Sequence, residues 1–156
     1  MIVNKDKMKK LKIAISSDHA GFFLKEKLKS YLTSEEYIIK DFGTYSKESV
    51  DYPDYFHPLA RAMEDKEFNF GIVICGSGNG ANITLNKYQG IRSALCWNTE
   101  ITRLARAHNN ANVCALPGRF IDLEQAIVFV RTFLNTTIDG GRHERRVMKI
   151  PLWQVG

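Results

Sequence analysis

Residues 70–81, FGIVICGSGNGA, constrain the fold more than any other stretch of this chain. The run from Phe70 to Cys75 is almost entirely apolar, which is typical of a strand buried on both faces of a parallel sheet. Three alternating glycines follow at once: Gly76, Gly78 and Gly80. Alternating glycines let the backbone turn tightly and present its N–H groups to an anionic oxygen. The same dipoles favour a thiolate at Cys75, and a base beside an anion-binding loop indicates an enzyme.

Apolar periodicity alternates between strand and helix along the chain. Strands are predicted at 11–16, 37–42, 70–75, 91–96 and 112–116. Helices are predicted near 20–32, 53–66, 79–88, 99–108 and 122–134, with Asn98 or Thr99 and Asp122 as N-caps and a short basic helix near the end. This alternation predicts an α/β fold, a three-layer Rossmann-like sandwich with a five-stranded parallel sheet.

The length of 156 residues fits one domain over 1–156, with an N-terminal extension at 1–10 and a basic C-terminal arm at 138–156. The formal net charge of +5 indicates an anionic partner, and much of the excess lies in Lys5–Lys12 and Arg142–Lys149. Aromatic residues are not interleaved with these basic residues as a stacking surface for nucleic acid requires. A phosphorylated small molecule is therefore the favoured partner.

Three cysteines, Cys75, Cys96 and Cys114, lie in or at the ends of apolar runs and form no CxxC pair. This pattern is typical of reduced, intracellular proteins. The first residues lack the apolar core of a signal peptide, and no apolar stretch is long enough to span a bilayer. We expect a cytoplasmic protein that does not interact with membranes.

Two reactive dipeptides follow the first and third predicted strands. If strand one lies beside both strands two and three, the strand order reverses between Asp18-His19 and Cys75-Gly76. Ligands of open α/β sheets bind at such a reversal, beyond the carboxyl ends of the strands. Its local sequence suits Asp18 equally well to capping the next helix, but its place at the ligand-binding edge of the sheet favours a functional role.

The glycine loop also fits G-x-G-x-x-A, a form of the dinucleotide-binding fingerprint. It follows the third strand, however, and the next strand ends in Cys96-Trp97-Asn98, without the acidic residue that holds a ribose. A nicotinamide cofactor is therefore not favoured. A non-catalytic nucleotide- or phosphate-binding module remains an alternative to an enzyme.

Further candidate residues lie near the carboxyl end of the chain. Arg142 and Arg146 have the i, i+4 spacing that aligns two side chains on one helix face, and Arg119 follows the fifth strand. His108 closes the helix after strand four, which runs back to the amino edge of the sheet. His108 is therefore expected far from Cys75 of its own subunit, and joins that site only across a dimer interface.

Several motifs occur together in a specific order: SDHAG at 17–21, DYP at 51–53, ICGSGNG at 74–80, NK at 86–87, GIR at 90–92, HNNAN at 108–112 and GGRH at 140–143. In this order they resemble the ribose-5-phosphate isomerase B family over about residues 11–148. One branch of that family has a glutamate base just after the glycine loop. Ala81 stands at that position here, so the chain resembles the cysteine type.

The resemblance implies an isomerase that interconverts ribose 5-phosphate and ribulose 5-phosphate through an enediolate, without metal or organic cofactor. A six-carbon substrate, allose or galactose 6-phosphate, is the alternative within the family. Cys75 is then the base, Ser77 shuttles hydroxyl protons, and His108 opens the sugar ring with Asp18 nearby. Family dimers share their sites between subunits, and a tetramer is left open. The implied substrate- and phosphate-binding residues are His19, Tyr52, Gly76, Gly78, Asn79, Gly80, Asn109, Arg119, Arg142, His143 and Arg146.

Overall fold

A computed structural model describes residues 11–152. The predicted extension 1–10 and the last four residues of the predicted arm 138–156 lie outside the described residues. The described elements are β1 Lys12–Ser17, α1 Phe22–Ser34, β2 Ile38–Asp41, α2 Tyr52–Glu64, β3 Phe70–Cys75, α3 Asn79–Leu85, β4 Ser93–Leu95, α4 Thr99–Ala107, β5 Val113–Pro117, α5 Leu123–Asn135 and α6 Arg142–Val147. Within 11–152, none of the helices has the length and apolar character that crossing a membrane requires.

The five described strands form one parallel sheet in the order β2-β1-β3-β5-β4. β1 lies between β2 and β3, which is the arrangement on which the predicted reversal of strand order depends. In the register, Ser17 pairs with Ile74 and Cys75 pairs with Pro117. The carboxyl ends of the three central strands therefore meet at one edge of the sheet.

Alternate residues of the strands enter two separate apolar clusters. Ile13 and Ile15 belong to a cluster with buried residues of α1 and α5, whereas Ala14, Val73 and Cys75 pack with residues of α2 and α3. Successive side chains of a strand point to opposite faces, so helices cover both faces of the sheet. The three-layer α/β prediction is confirmed, and Cys75 lies on the face covered by α2 and α3.

The predicted helix starts agree with the observed caps. Asp122 accepts a hydrogen bond from Gln125 N at 2.8 Å and forms a capping box, and Asn98 accepts one from Ile101 N at 2.8 Å. Such bonds satisfy N–H groups that have no partner inside the first turn of a helix. The helix predicted at 53–66 begins one residue earlier, at Tyr52.

A buried ion pair between α1 and the end of β2 fixes the position of the chain that follows β2. This chain lies against the end of β1. The side chain of Lys25 has no exposed surface, and its Nζ lies 2.6 Å from Oδ2 of Asp41. Oδ1 of Asp41 accepts a hydrogen bond from Gly43 N at 2.8 Å. The carbonyl oxygen of Gly43 in turn accepts bonds from Ser17 N at 2.6 Å and from Ser16 Oγ at 2.8 Å. These hydrogen bonds hold the chain at Gly43 next to the end of β1, where Asp18 follows.

Substituting Gly21 by alanine tests how tightly the ends of β1 and β3 pack. A Cβ at Gly21 would lie 2.5 Å from the carbonyl oxygen of Ile74, a backbone atom that cannot rotate away. We expect Gly21→Ala to lower the free energy of unfolding by about 1–3 kcal/mol in denaturant titrations. Gly90→Ala is the control, because its nearest neighbour would be 3.5 Å away. Equal stability of Gly21→Ala and Gly90→Ala would contradict the close packing.

Candidate active site

Asp18 and Cys75 lie together where β1 and β3 end. Asp18 N donates a hydrogen bond to the carbonyl oxygen of Ile74 at 3.2 Å, and only 6% of Asp18 and 4% of Cys75 is exposed. Oδ1 of Asp18 also accepts a bond from Gly21 N at 3.1 Å, which closes the turn before α1. The carboxylate therefore supports the local turn and acts on the thiol at the same time.

The thiol of Cys75 is subject to opposing electrostatic effects. Burial raises its pKa above the ordinary value for cysteine, and the negative charge of Asp18 raises it further. The backbone N–H groups of Ala81, Gly78 and Gly80 point to the sulfur and act in the other direction. The sequence-based expectation of a lowered pKa is wrong for the protein without substrate, because desolvation of the anion outweighs the amide dipoles.

The glycine loop is closely covered by two of the predicted binding residues. A Cβ at Gly80 would lie 2.8 Å from Cζ of Tyr52, and a Cβ at Gly76 would lie 3.3 Å from Nη1 of Arg119. Arg119 N also donates to the carbonyl oxygen of Gly76 at 3.0 Å. An aromatic ring therefore lies directly against the backbone at Gly80, whereas at Gly76 the neighbour is the flexible end of the Arg119 side chain, which can shift to admit a Cβ.

Three further predicted residues lie at the same edge. His19 follows Asp18, and its Nδ1 accepts a hydrogen bond from Val50 N at 3.2 Å. Ser77 and Asn79 are exposed on the glycine loop, and Ser77 Oγ accepts a bond from Asn79 N at 3.3 Å. Their polar side chains remain accessible to a ligand that approaches Cys75.

A second group of predicted residues lies at the opposite edge of the sheet. His108 ends α4, and the chain then passes Asn112, whose carbonyl oxygen accepts a bond from Gly71 N at the start of β3. The strand from Gly71 to Cys75 covers about 13 Å. One subunit therefore does not join the two groups, in agreement with the expectation for His108. The members of this second group are His108, Asn109, Arg142, His143 and Arg146.

Within this second group, two imidazoles and a carboxylate lie in contact. The rings of His108 and His143 stack with their centroids 3.9 Å apart, and Nε2 of His108 lies 3.5 Å from Oδ2 of Asp139. Sequence reasoning did not select Asp139. The sequence feature that could have pointed to Asp139 is its position directly before Gly140-Gly141 and the basic helix. Asn109 lines a neighbouring cleft of about 580 Å³ together with Tyr88, Arg92, Ile150 and other residues.

The family model described as ribose/galactose isomerase matches residues 13–150. The chain belongs to this family. Ribose-5-phosphate isomerase B of Escherichia coli is 40% identical over 139 residues, which cover 89% of this chain and 93% of that protein. The resemblance seen in the sequence motifs is confirmed.

Solved structures of family members agree with the fold. A ribose 5-phosphate isomerase of Thermotoga maritima is 55% identical, with a TM-score of 0.89 over 90% of this chain and 97% of that chain. Ribose-5-phosphate isomerase B of Mycoplasma genitalium, solved with bound ribulose-5-phosphate, is 37% identical, with a TM-score of 0.84 over 89% and 93% of the two chains. The Rossmann-like α/β architecture is thus shared with these isomerases.

Replacing Asp18 by asparagine tests the electrostatics at Cys75. Removal of the negative charge stabilises the thiolate, so Asp18→Asn should lower the pKa of Cys75 and shift its ionisation to lower pH. The measurement is the thiolate absorbance as a function of pH, with the titration of Cys75→Ser subtracted. Asp54→Asn, an exposed carboxylate of α2, is the control. A pKa of Cys75 that stays the same or rises in Asp18→Asn would rule out this role of the carboxylate.

Proposed function

We propose that this chain is an aldose–ketose isomerase that interconverts ribose 5-phosphate and ribulose 5-phosphate through an enediolate. The observation that carries the proposal is the buried Cys75 thiol beside the N–H groups of the glycine loop, in a chain of the ribose/galactose isomerase family. Supporting it are relatives that are named ribose-5-phosphate isomerase B and the Mycoplasma genitalium structure with ribulose-5-phosphate.

The reaction needs a base and a stabilised oxyanion at one place. A proton next to a carbonyl group is weakly acidic, so it leaves only if the negative oxygen is held by donors that are already oriented. In the proposed mechanism, Cys75 moves the proton between C1 and C2. The N–H groups of residues 76–80 hold the enediolate oxygen, and Ser77 shuttles hydroxyl protons. The raised pKa of Cys75 makes its thiolate a stronger base once it has lost its own proton.

Ring opening and phosphate binding use the second group of residues. His108 of one subunit, with Asp18 of the other subunit nearby, opens the furanose ring, and the phosphate is held by cations such as Arg142 and Arg146. Because His108 and Cys75 lie at opposite edges of one sheet, the complete site requires a second copy of the chain. We therefore include a homodimer with shared sites in the proposal, and a tetramer made of two such dimers is compatible with it. His19, Tyr52, Asn79, Asn109, Arg119 and His143 complete the sugar and phosphate contacts.

The proposal includes a single isomerase domain over 1–156 and a cytoplasmic location. What supports the location is the state of Cys75, Cys96 and Cys114, which are all free and buried. Disulfide bonds are rare in the cytosol, where thiols are kept reduced.

Substrate choice is tested by NMR of ribose 5-phosphate, allose 6-phosphate and galactose 6-phosphate in heavy water. The proposal predicts the fastest turnover for ribose 5-phosphate, with solvent deuterium appearing at C2 of the sugar. Faster turnover of a six-carbon sugar phosphate would show that the proposed substrate is wrong and would leave the proposed isomerisation mechanism unchanged. Binding of all three sugars without any deuterium exchange would instead indicate a non-catalytic phosphate-binding module.

Removing the thiol is the direct test of the base. Cys75→Ala should lower kcat for ribose 5-phosphate by roughly 10²–10⁴-fold with little change in KM, because a positioned base contributes that much to the transition state. Cys114→Ala serves as the control, since it deletes a buried thiol of β5 outside the proposed site. If Cys75→Ala turns over ribose 5-phosphate at the wild-type rate, Cys75 is not the catalytic base.

Mixing two inactive variants tests whether sites are shared between subunits. In a heterodimer of Cys75→Ala with His108→Ala, one shared site contains both native residues and the other contains neither. Random reassortment of subunits should therefore restore about a quarter of the wild-type activity. Sites built within one subunit would stay inactive in every mixture. The measurement is isomerase activity after coexpression, with each variant alone as the baseline.

A further inference from the structure

Three potential metal ligands meet at the amino edge of the sheet. His108 ends α4, Asp139 lies between α5 and α6, and His143 lies in the first turn of α6. One ligand atom from each of these residues lies within 4.8 Å of the ligand atoms of the other two. Asp139 and His143 follow His108 by 31 and 35 residues in the sequence, so the cluster joins two distant parts of the chain.

We propose that His108, Asp139 and His143 form a binding site for one divalent transition-metal ion of the zinc or cobalt class. Two imidazoles and a carboxylate match the donor preference of these ions, whereas Mg²⁺ and Ca²⁺ prefer sites made of oxygen atoms. This site goes beyond the proposed function, in which no metal takes part. A fourth position at the ion stays open to water, as in many three-ligand sites.

The cluster needs only a local adjustment to hold an ion. Bonds of about 2.0–2.2 Å in a tetrahedral site place ligand atoms about 3.4 Å apart, so the stacked rings have to splay and the atoms have to draw together. The backbone of Asp139 is held against α4, because its N–H donates to the carbonyl oxygen of Ala107 at 2.8 Å. Gly140 and Gly141 follow with φ of +75° and +56°, and a Cβ at either would meet nothing within 4 Å. The linker that carries His143 is therefore not packed against other described residues at these two positions.

Two guanidinium groups lie next to the cluster. Nε of Arg142 donates a hydrogen bond to Nε2 of His143 at 3.5 Å, and Arg103 lies close enough to Asp139 to act on it electrostatically. Both positive charges oppose the binding of a cation, so the ion has to be held by its coordinate bonds and has to displace Arg142 from His143.

Metal binding would have a consequence that rests on the proposed function. If His108 and His143 contact the sugar phosphate, an ion on the same nitrogen atoms excludes the substrate. The metal ion then acts as a competitive inhibitor that raises the KM for the sugar phosphate. A chelator reverses this inhibition. The binding itself does not depend on this, so a failed isomerase assay would leave the metal site open to its own test.

The test is a titration of chelator-treated protein with Co²⁺, followed by visible and near-ultraviolet absorption. Asp139→Asn removes the carboxylate charge and weakens the ligand, while Glu144→Gln removes an exposed charge of α6, the helix that carries His143, outside the cluster. Cys75→Ala identifies any binding to that thiol, because sulfur ligands give intense charge-transfer bands that nitrogen and oxygen ligands lack.

We expect one Co²⁺ per chain with absorption bands typical of nitrogen and oxygen ligands. Asp139→Asn should weaken the affinity at least about tenfold, and Glu144→Gln should bind like the wild type. The proposal is overturned if no stoichiometric binding occurs, if both variants weaken it equally, or if Asp139→Asn binds like the wild type. A sulfur band that disappears in Cys75→Ala would also overturn it, because the ion would then be bound elsewhere.

Discussion

The parallel pairing of β1 with β3 is the constraint on which the proposed chemistry depends. The register joins Ser17 to Ile74, so the next residues, Asp18 and Cys75, lie at the same edge of the sheet. The hydrogen bond from Asp18 N to the carbonyl oxygen of Ile74 extends this pairing beyond the last ladder pair. Gly21 allows the turn after β1 to lie directly on the backbone of β3. Without this close approach, the carboxylate and the thiol would not act on each other.

The thiol shows how a folded site balances opposing effects. Three backbone N–H groups point to the sulfur, yet the pKa of Cys75 is raised because burial and Asp18 disfavour the anion more strongly. A glycine loop read from the sequence indicates the amide donors but not the solvent exposure of the group they surround. The structure adds that only 4% of Cys75 is exposed, and this burial decides the direction of the shift.

Much of the fold follows from local patterns, and the exceptions have physical causes. β3 has the predicted bounds because an unbroken apolar run ends in a loop of glycines. β4 is shorter than predicted because, at its start, backbone groups form hydrogen bonds with the side-chain amides of asparagines instead of with a neighbouring strand. Asn86 bonds both N and O of Ser93, and Asn112 accepts from Arg92 N. Such hydrogen bonds between side chain and backbone leave no periodic signal in the sequence.

Part of the candidate site was likewise predictable from the sequence, and part was not. The separation of His108 from Cys75 follows from the direction of a helix after a parallel strand, and the structure confirms it. The buried Lys25 and the contact of Asp139 with His108 were missed. Both join residues from distant parts of the chain, and charged side chains are usually read as solvated. Lys25 does share a helix face with Leu28 and Leu32, so its inward direction was open to inference from spacing.

The most direct measurement is a crystal structure of the assembled protein with ribulose 5-phosphate bound. Sγ of Cys75 should lie against the carbon that exchanges its proton. The N–H groups of the glycine loop should bond the adjacent oxygen, and His108 of the partner subunit should lie at the ring-opening position. A complex in which protein atoms separate the sulfur from the sugar in every subunit would contradict the account.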